Sequence, residues 1–467
     1  MGTALNRNVV TSCPTLLVAA PASGQGKTTV TAALARLHTR RGQRVTVFKC
    51  GPDFLDPYWL SLASTPDGAG TAKPVHSLDL WMTGEADCRA RLQAAAQASD
   101  LILVEGVMGL FDGEPSAADL AQRLGLHVLA VIDASAMAGT FGALAYGLQH
   151  FRPGLRWAGV LANRVGSERH AGMLQGALRA PEQWLGALMR NPALTLPERH
   201  LGLTVASEVV DAQARLDAAA DVLASTPLGQ LPLAAMTPWA LSFEEKKVDI
   251  LQRPPPLFTG LTGKTIAIAR DAACCFIYPA NLDTLHALGA TLVFFSPLTD
   301  TVLPACDAVW LPGGYPELHA ERLSAQHALR DSLRAHVAAR KPVWAECGGM
   351  MLLFDLLITA DGTAHPMWGL LPGSTRMQTR LAGLGPQQLT LDAGGAHTLR
   401  GHTFHYSTSE ARLAAVARTS RPASAPAAEA GEALYHHGSV RASYFHAWFS
   451  SSPEATAQLF SAVEPLA

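Results

Sequence analysis

Short, continuous apolar runs separated by helical stretches constrain this chain more than any other feature. Leu16-Leu17-Val18-Ala19-Ala20 reads as a buried strand, and a glycine loop behind it opens a helix over about 27–41. Val45-Thr46-Val47-Phe48, Leu101-Ile102-Leu103-Val104 and the runs over 127–132 and 157–161 are further strands, several with helical patterns between them. Strands without polar alternation are apolar on both sides, which places them in a parallel sheet covered on both faces. The first half is therefore expected to be α/β and doubly wound.

The rhythm fails over 225–263. Pro227, Pro232, Pro238 and the triplet Pro254-Pro255-Pro256 prevent long regular elements, and Glu244-Glu245-Lys246-Lys247 adds a charge cluster. An extended linker is predicted over 226–262. From Lys264 strands and helices resume, with strands over 265–269, 291–295, 307–311 and 342–345. The expected organisation is a first α/β domain over 1–225 and a second over 263–467. A length of 467 residues agrees, since it exceeds what one hydrophobic core serves. No internal repeat is visible, and the alanine-rich stretch 422–433 reads as a surface loop.

Charge and composition narrow the function. A net charge of −2 gives no preference for nucleic acid or an anionic membrane, so no such partner is expected. The first residues lack the apolar core of a signal peptide, and the run from Leu101 is broken by Glu105 before it can span a bilayer. Seven cysteines without framework spacing suit reduced thiols in the cytoplasm. No CxxC pair is present, so no zinc site is expected.

Ala20-Pro21-Ala22-Ser23-Gly24-Gln25-Gly26-Lys27-Thr28-Thr29 follows a strand and opens a helix, as a phosphate loop must. Its glycines let backbone N–H groups of Ser23 to Thr29 face phosphate oxygens at a helix N-terminus. Lys27 supplies charge for the terminal phosphates of ATP and Thr28 a hydroxyl for Mg²⁺. The usual spacing asks for glycine at position 21, where this chain has Pro21. Asp53 and Glu105 each follow an apolar strand and are candidate metal ligands, hard oxygens suited to Mg²⁺. Each would otherwise serve as a turn or capping carboxylate. Asp53, Asp56 and Asp79 are candidate substrate contacts.

In the second half, Val343-Trp344-Ala345-Glu346-Cys347-Gly348-Gly349 is a strand running into a cysteine and two small residues, the pattern of a nucleophile elbow. A helix beginning there would lower the thiol pKa. Gly313 and Gly314, after the strand ending at Leu311, are candidates with Gly348 for an oxyanion hole. The base should be a histidine, with His402, His405, His436, His437 and His446 available. His446 reads as the end of an alternating strand, which suits a presented base.

These motifs together resemble the cobyrinic acid a,c-diamide synthase family, also called hydrogenobyrinic acid a,c-diamide synthase, over nearly the whole chain. The resemblance rests on Ser23 to Thr29, Gly51-Pro52-Asp53-Phe54-Leu55-Asp56-Pro57, Val104-Glu105-Gly106-Val107-Met108-Gly109 and Leu196-Pro197-Glu198-Arg199-His200-Leu201-Gly202-Leu203. Leu311-Pro312-Gly313-Gly314-Tyr315-Pro316-Glu317-Leu318, Glu346-Cys347-Gly348-Gly349 and Phe404-His405-Tyr406-Ser407 complete it. The first domain looks like dethiobiotin synthetase and the second like a class I glutamine amidotransferase. The resemblance implies ATP activation of a corrinoid carboxylate as an acyl phosphate, and ammonia released from L-glutamine through a Cys347 thioester. It implies His446 as the residue that raises the nucleophilicity of Cys347. Many class I amidotransferases follow that histidine with Pro-Glu; here Ala447-Trp448 follows, as in this branch, and what fixes the imidazole tautomer is open. A homodimer is an assembly open to such a chain.

Rival readings are a partitioning-type ATPase switch, a glutamine-dependent nucleotide synthase, cobyric acid synthase and the synthase that diamidates nickel-sirohydrochlorin. The first has no use for a cysteine elbow. The second normally keeps a full Cys-His-Glu set. The last two share the chemistry and differ in substrate, and Gly51 to Pro57 favours the a,c-diamide group.

Overall fold

The computed structural model describes residues 10–191, 198–199, 202–203, 211–244, 258–391, 395, 397–422 and 431–461. Two compact units divide the chain, Met1–Gln252 and Arg253–Ala467.

The first unit contains β1 (Val10–Ala19), β2 (Val45–Cys50), β3 (His76–Leu78), β4 (Leu101–Glu105), β5 (His127–Asp133), β6 (Arg156–Val165) and β7 (Trp184–Met189). They form one sheet in the order β3-β2-β4-β1-β5-β6-β7, parallel throughout that path. Residues of β1 alternate between two cores. Leu17 and Ala19 pack on one face with Ile102 and Val104, whereas Leu16 and Val18 pack on the other with Leu101 and Leu103. Burial on both faces is why the strands are apolar without alternation. Helix α1 (Lys27–Arg40) follows β1, and α2 (Asp56–Ser64) follows β2. The loops behind β1, β2 and β4 therefore leave the same edge of adjacent strands, where ligands of such sheets bind.

Two short strands, β8 (Glu198–Arg199) and β9 (Gly202–Leu203), pair within the Leu196 to Leu203 motif, whose remaining residues lie outside the described ones. The stretch expected as an extended linker from 226 is folded onto the first unit as far as Glu244. Pro227–Gln230 is a helical turn capped by Thr226, Leu233–Trp239 is a 3-10 helix, and β10 (Ala240–Glu244) pairs antiparallel with β1. Pro227 is at the first helical position, where no amide donor is needed, Pro232 precedes the 3-10 helix, and Pro238 lies inside it. Leu228 and Met236 are fully buried and outweigh the proline signal. Residues 245–257, with most of the charge cluster and the proline triplet, lie outside the described ones, as does 423–430 of the expected surface loop.

The second unit opens with β11 (Thr265–Ala269), β12 (Thr291–Phe295), β13 (Ala308–Leu311) and β14 (Val343–Glu346). Then come β15 (Phe354–Ile358), β16 (Ala364–Pro366), β17 (Leu371–Met377), β18 (Gly383–Thr390), β19 (Thr398–His405) and β20 (Ser407–Ala411). Four short strands close it, β21 (Ala417–Arg418), β22 (Ala433–His437), β23 (Val440–Ser443) and β24 (His446–Trp448). The main sheet runs β12-β11-β13-β14-β23-β22-β21, parallel from β12 to β23. A smaller sheet, β18-β19-β24, sets His446 opposite His402.

Candidate active site

In the first unit the phosphate loop is held open by its own turns. Gly24 and Gly26 adopt φ of +75° and +96°, and a Cβ on Gly26 would lie 2.2 Å from Asn163 Nδ2. Only glycine fits that approach. Asn163 donates to the Gln25 carbonyl at 2.8 Å, and the Gln25 side-chain oxygen accepts from the Asp133 amide at 2.8 Å. Ser23 and Gly24 are exposed, Thr29 half-buried, and Lys27 buried, with its ammonium donating to the Met108 carbonyl at 2.6 Å and that of Ala22 at 3.1 Å. Burial and the neighbouring Lys49 hold Lys27 below the usual lysine range.

Thr28 Oγ1 donates to Glu105 Oε1 at 2.7 Å, so two residues expected to serve one metal ion meet. The residue that organises the rest is Lys49, which the sequence reading missed. Its ammonium lies 2.9 Å from Glu105 Oε1, 3.5 Å from Asp53 Oδ2, and in direct contact with Asp56. A buried lysine near the end of a mostly apolar strand had to be paired. Burial opposes its charge, but Asp56, Glu105 and Asp53 raise its pKa well above the ordinary value. Burial pushes the Glu105 carboxyl up, against the pull of Lys49. Asp56 feels the same desolvation, yet Lys49 holds it below its ordinary value.

Asp53 also works locally. Its Oδ1 accepts from the amides of Leu55 and Asp56 at 2.8 and 3.1 Å, capping the entry to α2. Asp79 behaves alike, accepting from Trp81 and Met82 at 2.9 and 2.7 Å behind β3, outside the Lys49 cluster. Among the described residues no three His, Cys, Asp or Glu side chains form a metal cage by themselves. A Mg²⁺ ion that draws on phosphate and water needs only one or two carboxylates. Glu105 Oε2 fits that need: it is buried and has no hydrogen-bond partner among the described residues.

In the second unit β14 ends at a sharp turn. Cys347 has φ of +44° and ψ of −109°, unusual for a residue with a side chain, and its amide donates to the Ser443 carbonyl at 2.8 Å. The helix behind it, Gly348–Met351, is a single turn. The expected lowering of the thiol pKa is therefore reversed. Burial pushes the Cys347 thiol up, and the nearby Glu317 adds to it. One turn of helix is too little to offset that, so the resting thiol is neutral and needs a base.

His446 is buried beside the glycine pair, and a Cβ on Gly313 would lie 2.4 Å from its Cε1. Gly314 abuts the elbow, since a Cβ on Gly348 would lie 2.8 Å from the Gly314 amide nitrogen. Cys347, Gly348, Gly314, Gly313 and His446 thus lie in succession, each beside the next. His446 begins β24 rather than ending a strand; the turn after β23 resets the alternation read from the sequence. Burial, with His402 and His405, keeps its pKa well below the ordinary value.

The other histidines go elsewhere. His402 stacks on His446 with centroids 5.0 Å apart, and its Nδ1 lies 3.2 Å from the Tyr278 hydroxyl. His405 pairs with Glu432 at 3.0 Å and stacks on Tyr444 at 3.7 Å. His436 and His437 lie on β22, half-buried and exposed. One carboxylate also missed is Glu346, buried beside the elbow with its Oε2 4.0 Å from His446 Nδ1.

Residues 16–203 match the CobQ/CobB/MinD/ParA nucleotide binding domain, and residues 265–454 the CobB/CobQ-like glutamine amidotransferase domain. Over 447 residues the chain is 54% identical to hydrogenobyrinate a,c-diamide synthase of Pseudomonas aeruginosa, covering 96% of this chain and 97% of the relative. The chain belongs to the a,c-diamide synthase family. The family's member from Stutzerimonas stutzeri, also named hydrogenobyrinate a,c-diamide synthase, is 54% identical over 448 residues, 96% of this chain and 98% of its own. Cobyrinate a,c-diamide synthase of Herminiimonas arsenicoxydans is 47% identical over 459 residues, 97% of this chain and 99% of that one. An a,c-diamide synthase with a glutamine amidotransferase domain is an amide-forming ligase that takes nitrogen from glutamine. The expected pairing of a phosphate-loop α/β domain with an amidotransferase α/β domain holds, and a lone partitioning-type ATPase is excluded by the match over 265–454.

Proposed function

We propose that this ligase converts the c and then the a carboxylates of cobyrinic or hydrogenobyrinic acid into carboxamides, using ATP, Mg²⁺ and L-glutamine. The observation that carries the reading is the meeting of Thr28, Glu105, Lys49 and Asp56 behind β1, β2 and β4, in a chain that also sets His446 beside the Cys347 elbow's glycines.

In the first unit a substrate carboxylate oxygen attacks the γ-phosphorus of ATP and ADP leaves, giving an acyl phosphate. The Ser23 to Thr29 loop cradles the phosphates, and Lys27 offsets charge on the transferring group. Thr28, Glu105 and Asp53 would hold Mg²⁺, which when bound would neutralise charge on the phosphate oxygens. Asp53, Asp56 and Asp79 are the proposed contacts to the macrocycle. In the second unit Cys347 Sγ attacks the glutamine side-chain carbonyl while its proton passes to His446 and then to the departing ammonia. Gly313, Gly314 and Gly348 steady the oxyanion. Water then hydrolyses the thioester to glutamate, and the ammonia displaces phosphate from the acyl phosphate.

All seven cysteines are buried and outside any disulfide among the described residues, which supports a reducing, cytoplasmic setting. No described helix is long and apolar enough to cross a membrane. The domain reading assigns amide synthesis to 1–225, with the fold of that unit continuing to Glu244, and glutamine hydrolysis to 263–467. A homodimer is compatible with this reading and is checked by sedimentation. The deciding experiment gives purified protein ATP, Mg²⁺, glutamine and either macrocycle, and follows product mass. Two carboxyl-to-carboxamide conversions per macrocycle are expected; none on either substrate rejects the assignment.

A further inference from the structure

Ala447 and Trp448 stand where many related amidotransferases carry the proline and glutamate that steady the histidine. The elbow supplies a carboxylate from another direction. Glu346, the residue before Cys347, is 2% exposed and His446 is 1% exposed. Strand alternation turns Glu346 away from the Ala345 core and toward the face occupied by Trp344, Phe445 and Ala447. There its Oε1 accepts from Trp344 Nε1 at 2.7 Å and from the Ala447 amide at 3.3 Å. Its Oε2 lies 4.0 Å from His446 Nδ1. One carboxylate thus grips the backbone immediately after His446 and faces its ring.

We propose that Glu346 is the positioning residue of the glutaminase, holding the His446 proton on Nδ1 so that Nε2 is free to take the proton of Cys347. The inference rests on the proposed Cys347–His446 chemistry. The present separation is about 1 Å longer than a hydrogen bond, and such bonds tighten when substrate fills an active site. The two donors on Oε1 fix the carboxyl plane, so the movement that closes the gap falls to the His446 ring. Burial raises Glu346 to about 8. A positive charge arriving on His446 favours the ionised carboxylate beside it, which stabilises the imidazolium formed during thiol attack. The same strand therefore presents the nucleophile and, one residue earlier, the group that orients its base. The sequence consequence is that the carboxylate precedes the cysteine rather than following the histidine.

The test uses the full chain and four variants, Glu346→Gln, Glu346→Asp, His446→Ala and Glu346→Gln combined with His446→Ala, with glutamine hydrolysis read as kcat and KM separately. Glutamine at 346 keeps the acceptor for Trp344 and Ala447 but loses the charge. It should lower kcat by roughly 10- to 100-fold, the usual cost of losing an outer-shell partner, while KM moves less than about twofold. Adding Glu346→Gln to His446→Ala should cost nothing further, because a residue that acts through the imidazole has nothing to act on without it. Glu346→Asp, which keeps the charge one methylene farther back, should recover part of kcat, and it carries the test if Glu346→Gln does not fold. Wild-type kcat in Glu346→Gln, or full multiplication of the two losses in the double variant, would overturn the inference and leave the Cys347–His446 reading intact. Full activity of His446→Ala would instead remove that reading, and the inference with it.

Discussion

Thr28 Oγ1 donates a 2.7 Å hydrogen bond to Glu105 Oε1, joining the start of α1 to the end of β4. The bond leaves Glu105 Oε2 buried without a partner among the described residues. Glu105→Gln preserves the shape and the acceptor for Thr28 but removes the charge that a hard divalent ion prefers. The variant should need more Mg²⁺ for half-maximal amide formation and reach a lower maximum, read from turnover against Mg²⁺ concentration. An unchanged midpoint and maximum would make Glu105 structural.

Lys49→Met tests the cluster as a structural element. It strands buried Glu105 and half-buried Asp56 without their shared, buried cation. Breaking a buried ion pair from one side costs about 3–5 kcal/mol, so the first unit should unfold at markedly lower denaturant. A loss below about 1 kcal/mol would mean that water already screens the group.

The two sites differ in how far they could be read from sequence. The phosphate loop and the elbow announce themselves because local backbone geometry demands small residues at fixed spacing. The parallel sheets show through because strands buried on both faces must be apolar, as Leu16 to Ala19 are. Lys49, Asp56 and Glu105 come from separate segments, and their meeting depends on β4 lying between β2 and β1. The same is true of Glu346 and His446, brought together by the β14–β23 pairing and the turn after it. Over 226–244 the prolines hide a folded segment, because burial of Leu228 and Met236 has no local sequence signal. The pKa of Cys347 is illegible for a similar reason, since the length of the helix behind it and the depth of its burial are set by the fold.

Gly313→Ala probes the glycine beside the base. The added methyl would lie 2.4 Å from His446 Cε1 and 3.1 Å from Phe276 Cδ2, so the imidazole must shift. Glutamine hydrolysis should drop by about tenfold or more, as expected for displacement of a catalytic group, while amidation from ammonia continues. Normal glutamine hydrolysis would show that His446 has room to spare.

The pH profile follows from the burial of His446. The neutral imidazole is the working base, and its folded pKa lies well below 6.5. Protonation of His446 is therefore postponed to more acid pH, so in Glu346→Gln, which lacks the carboxyl that burial raises to about 8, kcat/KM for glutamine hydrolysis should stay level as pH falls from about 8 through 6.5. A half-loss at or above pH 6.5 would show an ordinary, solvated histidine.

The most direct measurement separates the two sites in one protein. Cys347→Ser keeps the elbow and nearly the volume but replaces the thiol with a far weaker nucleophile. Lys27, Thr28, Asp53 and Glu105 are untouched and should still activate the macrocycle carboxylate. With ATP and Mg²⁺, this variant should form no carboxamide from glutamine and should form it from high ammonium at mildly alkaline pH, where free NH₃ is present. Loss of both reactions in a folded protein, or retained use of glutamine, would contradict the account.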